Sequence, residues 1–556
     1  MGRVDDLANR YVEEWAPLSP SGATFLGISG YDDKLDDLSV DGYAAGVDLN
    51  RRTLAQLHAI DPVDDQEFVA KEAMIERLEI GVARFDAGEA TSEVNVIASA
   101  LHDLRMVFDL MPSEGEEAIA NIASRLSQFP RALTQYKATL LQAAAEGHVS
   151  AQRQIVEVAK QCEIWTSADG DDFYRGLARR LDADGALRAT LDEAAEVANT
   201  ATAEFGKFLR DELAPQGRPK EAAGRERYAL ASQYFLGAKI DLDETYAWGF
   251  EELHRLETEM RAVSAQIAGP GASIDDAVAK LDADPRYRIS GKENFRAWMQ
   301  ELGTTAINEL NGTHFDIPEQ VRIIEARIAP TSDGGIYYTG PSEDFSRPGR
   351  MWWAVPQGID DFSTWREVTT VYHEGVPGHH LQVAQTAVRS ELLNRWQRLL
   401  AWSSGHGEGW ALYAERLMDE LGYLSDPADK LGMLDGQAFR ATRVIIDIGM
   451  HLELEIPRDN PFGFHPGERW TPELGWEFAR AHCRLTDEAL RFELSRYLGW
   501  PGQAPAYKVG ERIWLQARED AKVRKGADFD LKKFHSDALN LGSLGLDPLR
   551  KALARI

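Results

Sequence analysis

The 556 residues contain only two cysteines, Cys162 and Cys483, far apart and without C-x-x-C spacing. This argues against a disulfide framework, and both are read as separate buried thiols in amphipathic segments. Long apolar runs are also missing. No stretch of about eighteen apolar residues occurs, so no segment has the pattern of a membrane-spanning helix. The opening Met1-Gly2-Arg3-Val4-Asp5-Asp6 has neither the apolar core of a signal peptide nor a lipobox-like cysteine, and cytoplasm is the expected compartment. Positive charge is scarce: 61 Lys and Arg stand against 90 Asp and Glu, for a net charge of −29 and a pI near 4.9. Such a surface argues against sequence-independent nucleic-acid binding, which needs clustered cations, and against anionic membranes. It leaves the oligomeric state open.

What the chain does have is helical periodicity. Apolar residues recur at three and four positions through Lys71–Asp86, Val94–Leu110, Ile122–Ala145 and Arg153–Thr166. Residues 1–239 are therefore expected to form a helical region that makes one wall of a cleft. Residues 240–556 would carry the chemistry, the whole forming one compact body. Within them Leu242–Ile267 reads as one long helix. Further helices are expected near Ala277–Asp282 and Asn294–Asn311, the latter opened by a capping box at Ser290-Gly291-Lys292-Glu293. Between 320 and 356 the texture becomes β-branched and aromatic. Gln320–Ile328, Gly335–Thr339 and Gly349–Val355 read as short strands. The predicted fold is mainly α, a large multi-helix body with a small β-sheet beside the helices of residues 360–421. Later helices are expected over Leu392–Trp402, Glu408–Leu421, Pro427–Ile456 and from Pro472 to about Arg496.

The chemistry concentrates in Tyr372-His373-Glu374-Gly375-Val376-Pro377-Gly378-His379-His380-Leu381-Gln382. Three imidazoles and a carboxylate within eight residues point to a metal ion. In H-E-x-x-H helices the two His rings share a face and the Glu is the general base. Here the fourth residue after His373 is Pro377, which opposes a regular helix. If His373 and a later imidazole hold one ion, the helix must be broken or bulged between Glu374 and His379. Pro377-Gly378 supplies the means. His379 is preferred as the second ligand, with His380 as the substitute. A catalytic zinc needs a third protein ligand. Glu408, at a helix start 29 residues after His379, can supply it, or it can be a first-turn acidic residue favoured by the helix dipole. Glu415, about two turns on, can orient a ligand imidazole or stand on the surface. Arg443, Asp447 and His451 lie on one face of a largely apolar helix, as a supporting polar network or as cleft-facing groups.

The first string, together with Glu408-Gly409-Trp410-Ala411-Leu412-Tyr413-Ala414-Glu415 and the early Pro17–Ile28 segment, resembles the bacterial DUF885 family. That family of uncharacterised proteins is grouped with the Glu-liganded, thermolysin-like zinc metallopeptidases. The resemblance implies a zinc-metallopeptidase-like fold with a deep cleft, Zn²⁺ as cofactor, and a peptide or small amide as substrate. It makes His373, His379 and Glu408 the metal ligands and Glu374 the catalytic base. It also implies a sheet whose edge strand pairs with the substrate backbone, with Tyr337, Tyr338, Trp352 and Trp353 as candidates to line the cleft. A structural hairpin is the alternative reading of that sheet. By position Tyr507 matches the oxyanion-stabilising residue of such enzymes, and a packed Tyr near a turn is the other reading. The two extra residues between Glu374 and His379 depart from H-E-x-x-H. A zinc-dependent hydrolase of another amide or ester, and a non-enzymatic protein with a degenerate site, are the rival functions.

Overall fold

The three-and-four spacing of apolar residues winds most of the chain into helices, and two separate apolar interiors gather their buried faces. The computed structural model describes residues 2–170, 172–330 and 335–556. The helices Glu116–Ser127, Phe129–Ala145, Gln152–Thr166, Phe173–Arg180 and Gly185–Phe208 enclose one interior around Leu126, Phe129, Tyr136, Trp165 and Phe205. The first helix, Arg3–Trp15, joins Asp65–Asp86 and the second half of the chain in the other. Cys162 and Cys483 are both free and buried, as expected. Among the described residues no helix is long and apolar enough to cross a membrane.

The second interior is built along the helix Pro427–Leu452, whose residues Ala441–Met450 are almost all buried. Leu242–Ala268 packs along it on one side and Thr364–Glu374 on another. Ser404–Glu420 lies against Ala506–Lys525, and glycines set the approach. A Cβ on Gly409 would stand 2.5 Å from Gly510 Cα, so the two backbones touch where side chains would hold them apart.

Among the described residues five short strands make two sheets: β1 (Arg288–Ser290), β2 (Ile324–Ile328), β3 (Ile336–Thr339), β4 (Gly349–Trp353) and β5 (Asp361–Ser363). The expected strands near 320–356 form a three-stranded sheet of order β2-β4-β3, with β4 parallel to β2 and antiparallel to β3. The Gln300 side chain seals the outer edge of β2, donating to Ile324 O at 2.9 Å and accepting from Ala326 N at 2.9 Å. β1 and β5 pair antiparallel as a separate ribbon.

Three local expectations are corrected. Ser290 is not a helix cap, because pairing with β5 holds it extended. Lys292–Leu310 starts from Gly291, and Asp360 receives both the Gly291 and Lys292 N–H groups. The reciprocal capping box belongs instead to Ser273 and Asp276. Leu392–Trp402 is not one helix. Only Arg395–Leu399 is helical, because Asn394 takes the N-cap role and accepts from Gln397 N at 3.0 Å. The helix from Pro472 stops at His482. Thr486 then caps a new one, Asp487–Gly499, by accepting from Ala489 N.

Candidate metal centre

The helix Thr364–Glu374 ends at Glu374 and a second begins at His379. Gly375 N still reaches Val371 O at 2.8 Å, but Gly378 N bonds Tyr372 O at 3.0 Å and His380 N bonds Gly375 O at 3.0 Å, so the i→i−4 ladder is interrupted. It resumes with Gln382 N to Gly378 O at 3.2 Å. The Val376–Pro377 peptide is cis. Trp410 holds the turn from outside, its Nε1–H donating to Pro377 O at 2.8 Å. Only glycine fits at 378, where a Cβ would meet Tyr372 O at 2.5 Å and collide with the His373 carbonyl. The expected break between Glu374 and His379 is therefore present, and its form is two helices meeting at a turn rather than a widened single helix.

Across this turn the side chains converge. Ligand atoms of His373, His379 and Glu408 all lie within 4.8 Å of one another. Glu408 Oε2 is 3.2 Å from His373 Nε2 and 3.3 Å from His379 Nε2. Two ligands at about 2.1 Å around a tetrahedral ion stand roughly 3.4 Å apart, so these separations suit a zinc-sized cation. Glu415, 1 % exposed, accepts the Nδ1–H of His373 at 2.7 Å and the Thr369 hydroxyl at 2.7 Å. That pair of bonds fixes the ring and turns Nε2 towards Glu408. Among the described residues, Glu374 Oε2 and His379 Nδ1 are buried without a hydrogen-bond partner.

Three carboxylates, of Glu374, Glu408 and Glu415, stand around two imidazoles. Burial opposes charge on His373, but the carboxylates of Glu408 and Glu415 overcome it and hold the ring pKa up to about 10. Burial also works against the Glu408 carboxylate, yet the His379 and His373 rings keep its pKa well below the usual range. For Glu374 burial outweighs the pull of the same two rings and pushes its carboxyl up. The donor set and its spacing fit a bound metal.

The structure separates the remaining candidates. His380 is not available as a substitute ligand. Its Nε2–H donates to Val321 O at 2.7 Å and its Nδ1 meets the Tyr338 hydroxyl at 2.9 Å, so both ring nitrogens are spent. His451 is likewise engaged away from the cluster, between Tyr497 O at 2.9 Å and Ala223 N at 3.2 Å. Asp447 accepts from Tyr228 and Gly502, and Arg443 donates to Tyr497 and Glu493. The three form a buried polar network, and none of them belongs to the metal cluster. Tyr338 stacks on His379 with ring centroids 6.4 Å apart and shares a hydrogen bond with His380. Tyr337 stacks on Trp352 at 5.9 Å, and Trp353 lies in the main interior with its indole donating to Glu367. Tyr507 stacks on His373 with ring centroids 6.4 Å apart, and Arg496 donates to its hydroxyl at 3.2 Å.

Sequence reasoning assigns no role to Thr369 or Trp410. Thr369 precedes His373 by four positions and so shares its helix face, which is a readable signal. Trp410 acts across the fold, and local spacing carries no trace of that.

No curated protein matches the chain. Solved structures do, two of them over nearly the whole chain. One is described as a "putative lipoprotein" from Colwellia psychrerythraea, with a TM-score of 0.84 at 20% identity over 100% of this chain and 98% of that one. The other is described as a "putative lipoprotein of unknown function" from Shewanella oneidensis, with a TM-score of 0.71 at 18% identity over 99% of each chain. At such identities the likeness is one of fold. The match that runs over residues 20–553 is decisive for kinship: the chain belongs to the family described as bacterial protein of unknown function (DUF885).

Proposed function

We propose that this chain is a zinc-dependent peptidase in which His373, His379 and Glu408 hold the metal and Glu374 is the general base. The observation that carries the reading is the convergence of two imidazoles and a carboxylate within 4.8 Å, beside a buried Glu374 oxygen that has no other partner among the described residues. A zinc ion bound there supplies Lewis-acid polarisation of a carbonyl and acidification of water. Glu374 takes a proton from water as the water oxygen adds to the peptide carbonyl carbon. It then hands that proton to the leaving nitrogen as the C–N bond breaks, so no net proton is consumed. Glu415 holds the His373 ring throughout. Because Arg496 donates to the Tyr507 oxygen, the Tyr507 O–H proton is left to stabilise negative charge on the former carbonyl. β3, at one end of the three-stranded sheet, would align an extended substrate in a cleft above the metal.

Elemental analysis and peptide hydrolysis test this together. About one zinc per chain is expected. Glu374→Gln should keep the zinc and lose hydrolysis by roughly 10²–10⁴-fold, as removal of a general base does. Glu408→Ala should lose the zinc itself. Protein that neither carries zinc nor takes it up would refute the reading, and equal zinc loss in both variants would make Glu374 a ligand. Hydrolysis of esters or non-peptide amides alone would replace the substrate class.

A further inference from the structure

One wall of the site carries three arginines in a chain whose net charge is −29. Arg440 and Arg443 project from the helix Pro427–Leu452 and Arg496 from Asp487–Gly499. Glu493 is the acid they share: it accepts from Arg443 at 2.9 Å, from Arg496 at 3.3 Å and from the Tyr497 hydroxyl at 2.6 Å. Asp447 lies near them, but its Oδ2 already accepts from Tyr228 and Gly502, and burial pushes its carboxyl up to about 7.

This leaves guanidinium groups incompletely used. Arg443 is 4 % exposed, and its Nη1 has no hydrogen-bond partner among the described residues. Arg440 is half-buried. Its Nε is also unpartnered, and Nη1 makes a single bond to the Gly436 carbonyl at 3.3 Å. A buried guanidinium with idle donors is costly unless an anion completes it. The planar fork suits a carboxylate, which it can bind through two parallel bonds.

The position is defined from two sides. Arg443 lies 4.7 Å from the centroid of Tyr507, whose ring stacks on His373 at 6.4 Å. Gly436 lets Arg440 approach closely on the side of the metal cluster. A Cβ there would stand 3.1 Å from Arg440 Nη1 and 3.9 Å from Glu415 Oε2. An extended residue spans about 3.3–3.6 Å, so a carboxylate on this wall lies within about three residues of the reacting carbonyl.

Resting on the peptidase reading, we infer that Arg440 and Arg443 form a carboxylate-binding subsite that holds the free C-terminal carboxylate of the substrate's leaving portion. The substrates are then short peptides, or longer ones trimmed near the C-terminus. An acidic side chain offers the same chemistry, and an Arg440 that merely balances Glu374 and Glu415 would not distinguish a carboxylate from an amide.

Binding is measured by calorimetry on zinc-supplied Glu374→Gln protein, which does not consume the probes. The probes are N-acetyl-tetraalanine, its C-terminal amide, and an amide of the same length ending in aspartate. The free acid should bind at least about tenfold tighter than the plain amide, as a charge-assisted hydrogen bond implies. Adding Arg440→Ala should reduce that ratio to under about twofold, and Arg440→Lys should restore part of it. Circular dichroism and the thermal midpoint establish that the variants are folded. Equal affinity for acid and amide, no measurable binding of either, or a preference that survives Arg440→Ala overturns the subsite. Aspartyl amide bound as tightly as the free acid overturns the C-terminal assignment in favour of an acidic side chain. A protein that prefers the acid yet cleaves no peptide in its wild-type form would refute the peptidase reading and leave the subsite standing.

Discussion

Replacing Glu415 by Gln isolates what its charge does. The carboxylate accepts two bonds, from His373 Nδ1–H at 2.7 Å and from the Thr369 hydroxyl at 2.7 Å. A glutamine of the same shape can accept from the imidazole through its oxygen and donate to the Thr369 hydroxyl, which reverses its role by rotation. Both contacts survive as neutral hydrogen bonds, but the charge that helps hold the His373 ring protonated is lost, so the metal-free protein should be destabilised by about 1–3 kcal/mol near neutral pH. The imidazole, however, loses the negative charge that raises its basicity, and partners of metal-bound His typically contribute 10–100-fold in affinity. Zinc affinity should therefore fall by that factor, about 1.4–2.7 kcal/mol. Competition against a chromophoric zinc chelator reads the affinity, and thermal melts in excess chelator read the stability. A dissociation constant within twofold of wild type would show that Glu415 does not tune the site. Complete zinc loss, as expected for Glu408→Ala, would make it a ligand.

The two adjacent histidines should part company on substitution. His379→Ala is expected to lose zinc. His380→Ala should retain it but destabilise the fold by about 1–3 kcal/mol, because Val321 O and the Tyr338 hydroxyl lose their partner; zinc loss in His380→Ala alone would reverse the ligand assignment. Gly510→Ala should cost about 1–3 kcal/mol in urea unfolding, since the new methyl would strike Gly405 O and stand 2.7 Å from Gly409 Cα. It should also lower hydrolysis by moving Tyr507 off His373, and an unchanged urea midpoint would mean that the two helices are not held by backbone contact there.

Much of the architecture was readable from residue order because its causes are local. Leu242–Ala268 and Pro427–Leu452 follow from apolar periodicity, and the strands near 320–356 follow from β-branched and aromatic runs. The interruption after Glu374 follows from Pro377 and Gly378, which no regular helix accommodates. Local signals failed where two of them competed. Ser290 and Glu293 spell a capping box, but β1 pairing claims Ser290 first. Asn394 and Thr486 begin new helices where periodicity alone ran through.

Residue order by itself determined the membership of the cluster's neighbourhood: His373, Glu374, His379 and His380 are close in the chain, and the turn among them is written in Pro377-Gly378. It preferred His379 but kept His380 as a substitute, since adjacent positions in one motif look alike. The tertiary structure separates the two, because the Val321 carbonyl and the Tyr338 hydroxyl arrive from distant segments and occupy both nitrogens of His380, while Glu408 arrives opposite His379. The same holds for Tyr507 and the arginine wall. They stand beside His373 because Gly409 and Gly510 let two helices touch and because the helices Pro427–Leu452 and Asp487–Gly499 meet at Glu493, and contacts of that range depend on packing rather than on neighbouring residues.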